Sequence, residues 1–189
     1  MKFGAVLLCG LVIAGADVAL AQRAAPAKAA PAAGPTLVME MAKGTIEIEL
    51  FTKDAPKSTA HILMLVRKNF YRGLRFHRVE SSLVQIGDPG TRSYANEASW
   101  GSYSYGEPIG VSEIPKGRLH VRGAVGLAYP TGADGRLSDS QFYIMKTASP
   151  SLNGKYAVIG HVTKGMEVVD KIARGDAVKN AYVKGEGPK

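Results

Sequence analysis

The sequence predicts a mainly β fold in which antiparallel strands form a closed barrel and two α-helices cover its open ends. Three observations support this prediction. Short apolar runs with a two-residue period recur along the chain, each separated from the next by turn-forming residues. Only two stretches show the helical period instead. Closing such a sheet removes the unpaired edges that short strands otherwise expose.

The folded part begins with a hairpin and a helix. Apolar residues alternate with polar ones over residues 37–41 and again over 45–50, and Lys43-Gly44 joins the two runs as a turn. From residue 56 to about residue 69, apolar side chains fall on one face of a helix that starts at Pro56.

The rest of the chain reads as short strands and one more helix. The second helix covers residues 166–174, with Gly175 as its stop. A last strand is expected at 182–183, and residues 90–118 show no regular pattern. The other predicted strands span residues 74–79, 83–86, 125–128, 141–145 and 156–162.

The N-terminal 35 residues are expected to lie outside this domain. Residues 1–21 have the positive start, the apolar run and the Ala19-Leu20-Ala21 motif of a signal peptide cut after Ala21; the alternative is an uncleaved anchor. Residues 22–35 form an Ala/Pro-rich linker that cannot bury a core, so the domain spans residues 36–189. A signal peptide implies a periplasmic or secreted protein.

Composition excludes several classes of protein. The single cysteine, Cys9, lies in the predicted signal peptide, which leaves no thiol for a disulfide scaffold or a nucleophile. The four histidines have no metal-ligand spacing, and no nucleotide-binding motif is present, so neither a metal nor a cofactor is expected. The net charge of +8 is spread along the chain. It favours weak contact with an anionic envelope surface over nucleic-acid binding.

Three segments stand out: FHRV at 76–79 with QIGDP at 85–89, SQFYI at 140–144, and LNGKYAVIG at 152–160. In this order they resemble the signatures of the cyclophilin family of peptidyl-prolyl cis–trans isomerases. The similarity covers roughly residues 36–174. It implies an eight-stranded antiparallel barrel capped by two helices, in agreement with the β pattern described above.

The chemistry of prolyl isomerisation suits these residue types. Rotating an amide costs about 18–20 kcal/mol, and a donor aimed at the prolyl nitrogen weakens the resonance responsible. Arg78, always charged and planar, is the candidate donor. The resemblance implies that Gln85 holds the substrate backbone near the twisting bond. It also implies a substrate site formed by Leu83, Ala128, Tyr129, Gln141, Tyr143, Leu152 and Tyr156.

Two of the departures from the family pattern concern the proline pocket. The segment between Arg78 and Gln85 is one residue shorter than usual, so the floor of the proline pocket, within residues 82–84, stays open. Tyr143 replaces a more usual Phe, and its hydroxyl must find a partner.

The main hypothesis is a monomeric isomerase that assists the folding of exported, proline-containing polypeptides. One alternative is a catalytically weak or inactive module that binds proline-containing segments. Another is a structural envelope protein tethered by its linker.

Overall fold

The computed structural model describes Met1 and residues 34–129 and 134–188. The regular elements of these described residues lie in the unit Ala33–Lys189. Two α-helices are present in the described part, α1 (Pro56–Arg67) and α2 (Met166–Asp170). The strands are β1 (Thr36–Met41), β2 (Gly44–Leu50), β3 (Arg78–Val79), β4 (Leu83–Ile86), β5 (Ala124–Leu127), β6 (Phe142–Met145), β7 (Val158–Lys164) and β8 (Val178–Val183).

The eight strands form one antiparallel sheet in the order β3-β4-β6-β5-β7-β2-β1-β8. The predicted fold class is thereby confirmed, with one correction. The sheet curls into a half-barrel rather than a fully closed barrel, because within the described residues β3 and β8 do not pair as strands. The segments that precede β3 and β8 meet through an isolated bridge between Arg75 and Ala177 and through flanking backbone hydrogen bonds.

The predicted strand over residues 74–79 is wrong in its length, because this segment changes partner. Phe76 donates its N–H to the carbonyl of Asp176 at 3.0 Å, whereas Arg78 and Val79 pair with β4. One short segment therefore contacts both ends of the sheet.

The two helices pack apolar faces onto the sheet. Helix α1 starts at Pro56, as predicted, and buries Ile62, Leu65 and Val66. Helix α2 ends at Asp170, four residues before its predicted end. The chain beyond it forms turns instead, since the Asp176 carboxylate accepts the N–H of Ala173 at 2.7 Å.

Two apolar clusters form the interior. The larger one lies between the sheet and the helices and includes Phe76, Phe142 and Ile144. The smaller cluster comprises Leu83, Ala124, Tyr143, Met145 and Val158. Its position on β4, β5, β6 and β7 makes it the base of the groove described below.

The predicted signal peptide and nearly all of the predicted linker lie outside the described residues. The cut after Ala21 and the domain limits therefore stay predictions. Among the residues that the structure does describe, no helix has the length and apolarity needed to cross a membrane.

Candidate active site

A solvent-open groove lies over strands β3, β4, β6 and β5, which are neighbours in the sheet. Its cavity measures about 810 Å³. Antiparallel pairing gathers here side chains that are far apart in sequence. All nine predicted site residues line the groove: Arg78, Leu83, Gln85, Ala128, Tyr129, Gln141, Tyr143, Leu152 and Tyr156.

Arg78 lies at one side of the groove, directly opposite Gln85 in the β3–β4 register. Its Nε donates to the Glu80 carboxylate at 2.7 Å, and its Nη1 makes a long 3.4 Å contact with Gln85 Oε1. Half of the Arg78 side chain, 50%, stays exposed. Within residues 34–129 and 134–188, its Nη2 has no hydrogen-bond partner. The guanidinium is thus oriented by two side chains and keeps donors for a bound molecule.

Two glutamine amides have their orientation determined by their partners. Gln141 Nε2 lies 2.6 Å from the carbonyl of Tyr103 and 3.1 Å from that of Gly101, so this atom must be the donor. Gln141 Oε1 therefore accepts from Gln85 Nε2 at 2.8 Å. Because Nε2 of Gln85 is the donor to Gln141, Oε1 of Gln85 faces Arg78 and stabilises the guanidinium as an acceptor.

The base of the groove is apolar. Leu83 and Tyr143 are buried on adjacent strands, and Ala128, Leu152 and Tyr156 pack around them. The shortened segment places Leu83 on this surface, whereas the carbonyl of Ser82 accepts the N–H of Lys146 at 2.7 Å. Leu83 is therefore the residue of 82–84 that contributes an apolar side chain to the pocket.

The hydroxyl of Tyr143 has the partner that its burial requires. It lies 2.8 Å from Nε2 of His120, and both residues are buried. Burial raises the pKa of Tyr143 well above its ordinary value and lowers the pKa of His120. Both groups are consequently neutral at physiological pH. The sequence motifs did not single out His120.

Two further tyrosines form a rim above the pocket. The rings of Tyr129 and Tyr156 stack with centroids 4.6 Å apart, and Tyr143 meets Tyr156 edge-on at 6.2 Å. The Tyr129 hydroxyl donates to the carbonyl of Lys155 at 2.7 Å, which ties the rim to the turn after Leu152.

The far wall of the groove comes from the segment that had no predicted structure. Two short 3-10 helices, Pro89–Arg92 and Tyr94–Ser99, lead into lining residues 100–104. Asp88 anchors this wall. Its fully buried carboxylate accepts the backbone N–H groups of Gly90 at 2.6 Å, Gly101 at 2.5 Å and Tyr103 at 3.3 Å. An Asp-Pro pair before a glycine was the only sequence signal for this role.

Two titratable groups in the lining keep constant charge near neutral pH. Burial lowers the pKa of His77 to about 4, so it adds no positive charge beside Arg78. Burial opposes ionisation of Asp139, but hydrogen bonds from His61 and Gly106 hold its pKa below the ordinary value.

No group of three or more His, Cys, Asp or Glu side chains in the described parts of the chain is arranged to hold a metal ion.

Comparison with known proteins identifies the family. A family model described as cyclophilin type peptidyl-prolyl cis-trans isomerase/CLD matches residues 36–186. A probable peptidyl-prolyl cis-trans isomerase of Brucella suis is 36% identical over 164 residues, covering 82% of this chain and 81% of that protein. A peptidyl-prolyl cis-trans isomerase of Helicobacter pylori is 35% identical over 142 residues, covering 73% of this chain and 80% of that protein.

Solved structures show the same fold. A cyclophilin type peptidyl-prolyl cis-trans isomerase of Cryptosporidium parvum aligns with a TM-score of 0.68 at 22% identity, covering 80% of this chain and 98% of that one. A cyclophilin of Hirschia baltica aligns with a TM-score of 0.62 at 21% identity, covering 77% of this chain and 72% of that one. The chain belongs to the cyclophilin-type peptidyl-prolyl cis–trans isomerases, a family of enzymes, as its three sequence segments predicted.

Proposed function

We propose that this chain accelerates rotation about X–Pro bonds in exported polypeptides, with Arg78 as the donor to the prolyl nitrogen. The supporting observation is a half-exposed guanidinium beside an apolar pocket in one open groove. The exported location is supported by the signal-peptide pattern of residues 1–21.

Arg78 acts on the electronic barrier. The planar amide is held by resonance, and the prolyl nitrogen regains a lone pair as the bond twists. A charge-assisted hydrogen bond to that lone pair contributes about 1.5–3 kcal/mol, or roughly 10- to 150-fold in rate. The Nη2 group of Arg78, free of partners in the described chain, is the donor suited to this bond.

The pocket and the amides supply the remaining stabilisation. The proline ring enters between Leu83, Tyr143 and Leu152, which fix one side of the rotating bond. Gln85 holds the backbone on the other side. Ala128 gives its own N–H to the carbonyl of Gln141 at 3.0 Å, so its carbonyl is the group that pairs with a substrate strand. This arrangement favours the twisted amide over the planar one.

A second candidate function is binding of proline-containing segments with little catalysis. The ion pair between Arg78 and Glu80 motivates it, because a carboxylate on Nε draws part of the guanidinium charge away from the substrate. The two functions differ in one observable: only the first increases the exchange rate between cis and trans peptide.

The test measures exchange of a short Ala-Pro peptide by NMR with the full-length chain. Arg78→Ala should lower kcat/KM by roughly 10- to 150-fold, and Arg78→Lys should recover only part, since a point charge lacks the planar fork. Arg122→Ala is the matched control. Arg122 is equally exposed, pairs with Asp170 and does not line the groove. Unchanged exchange in Arg78→Ala would refute the role of Arg78, and peptide binding without faster exchange in the parent chain would favour the second function.

Export has its own test. Expression of the full-length gene followed by cell fractionation should yield a soluble envelope protein whose N-terminus is Gln22. A cytoplasmic protein that still carries residues 1–21 would contradict the proposal.

A further inference from the structure

The tyrosine in the proline pocket carries a hydroxyl that the proposed mechanism does not use. Tyr143 is only 4% exposed, and its hydroxyl oxygen lies 2.8 Å from Nε2 of His120, which is 1% exposed. The two rings are nearly parallel, with centroids 5.9 Å apart. His120 lies just before β5 and does not line the groove itself.

The hydrogen bonds define the protonation of His120. Asn153 Oδ1 lies 2.8 Å from the backbone N–H of His120, so this atom of Asn153 must be the acceptor. The same oxygen lies 3.1 Å from Nδ1 of His120, which therefore carries the proton. Nε2 is then an acceptor, and the Tyr143 hydroxyl donates to it.

The ring of Tyr143 lies against a strand that has no side chain at that point. Gly126 is directly opposite Tyr143 in the β5–β6 register. A Cβ at Gly126 would stand 2.3 Å from Cζ and 2.4 Å from the hydroxyl oxygen of Tyr143. The ring is thus drawn back over Gly126, away from the space that a proline ring needs.

A buried hydroxyl without a partner is unfavourable, and rotation of the Tyr143 side chain would relieve it. Rotation toward the groove would bring the hydroxyl to water and would fill the pocket with the ring. The acceptor on His120 opposes this rotation. The neighbouring contact with Asn153 ties the same histidine to the turn that carries Leu152.

We propose that His120 is a positioning residue that keeps the proline pocket open by accepting the hydroxyl of Tyr143. This inference rests on the proposed isomerase function of the groove. His120 touches no substrate and acts only through Tyr143. The inference adds a specific requirement: a tyrosine at position 143 leaves the pocket open only when a hydrogen-bond acceptor, here Nε2 of His120, holds its hydroxyl.

The test is a double-mutant cycle in the full-length chain, with Ala-Pro peptide affinity (Kd) and kcat/KM both measured by NMR. His120→Phe keeps the ring volume and the backbone N–H to Asn153 but removes the acceptor. It should weaken peptide binding and lower kcat/KM by roughly tenfold, the cost of one orphaned hydroxyl. His120→Gln, which can place an amide oxygen near the former Nε2, should recover most of the loss.

The decisive variant combines His120→Phe with Tyr143→Phe. Removing both partners leaves no orphaned hydroxyl, so the double variant should bind the peptide more tightly and have a higher kcat/KM than His120→Phe alone. Losses that simply add, or a His120→Phe protein that is less stable but binds peptide normally, would overturn the inference. If the parent chain binds peptide without catalysing exchange, the proposed function fails, and the Kd values still decide the role of His120.

Discussion

Replacing Gly126 with alanine should close the proline pocket from behind. The added Cβ would stand 2.3 Å from Cζ and 2.6 Å from Cε2 of Tyr143, whereas carbon atoms in contact are about 3.5–4.0 Å apart. The ring must therefore move by more than about 1 Å, and the open side is the groove. Overpacking of this kind costs about 1–3 kcal/mol.

If this overpacking energy weakens the binding of substrate and transition state by the same amount, kcat/KM falls by roughly 5- to 150-fold. The assay is NMR exchange of an Ala-Pro peptide, combined with urea unfolding to measure the folded fraction. Gly160→Ala is the matched control. Its Cβ would clash with the carbonyl of Glu49 and with Ile48, on the side of β7 that pairs with β2. It should destabilise the fold while the folded molecules keep their activity.

The origin of the effect can be checked in a Tyr143→Leu background. Leucine lacks the ring atoms that meet the new Cβ, so Gly126→Ala should then cause little further loss. A Gly126→Ala protein with kcat/KM within threefold of the parent, or losses that add in the double variant, would refute the steric argument.

Three further predictions concern the walls and the charge of the groove. Glu80→Gln should change kcat/KM by less than about fivefold, because losing the carboxylate that orients Arg78 and restoring the full charge of the guanidinium have opposite effects. The urea midpoint should stay unchanged, because an exposed ion pair contributes little to stability; Asp170→Asn, which breaks a similarly exposed pair, serves as the control. Asp88→Asn should lower the free energy of unfolding by about 1–3 kcal/mol, because an amide cannot accept all three backbone N–H groups; an unchanged urea midpoint would contradict its anchoring role. His77 stays neutral when folded, and below its ordinary pKa of 6.5 the unfolded chain binds the proton first. The free energy of unfolding should therefore be highest above pH 6.5 and should fall as the pH decreases toward 4. In His77→Leu this fall should be smaller by on the order of 3 kcal/mol, as measured by urea unfolding at several pH values.

Strand and helix periodicity predicted most of the fold. β4 spans Leu83–Ile86, as the apolar run indicated, and α1 begins at Pro56. Periodicity failed where backbone pairing changes partner. The run 74–79 looks like one strand, but its two halves bond to opposite ends of the sheet. A local pattern carries no information about which partner each residue meets, so the incomplete closure could not be predicted.

The groove likewise has residues that the sequence predicted and a wall that it did not. Arg78, Gln85 and Tyr143 lie within recognisable segments, and all of them line the groove. The far wall was missed because residues 100–104 have no regular pattern and are held by two side chains from other segments, the Asp88 carboxylate and the Gln141 amide. Hydrogen bonds between side chains and the backbone hold such a wall in place, and the spacing of hydrophobic residues does not predict them.

The departure at Tyr143 shows why positions in a pocket cannot be judged singly. Taken alone, a tyrosine in place of phenylalanine suggests a smaller or more polar pocket and weaker catalysis. The structure places Gly126 beneath the ring and His120 behind the hydroxyl. The additional oxygen of tyrosine therefore has room over Gly126 and a hydrogen-bond acceptor in His120. The pocket therefore keeps an apolar face toward the groove, and Tyr143, Gly126 and His120 form one structural unit.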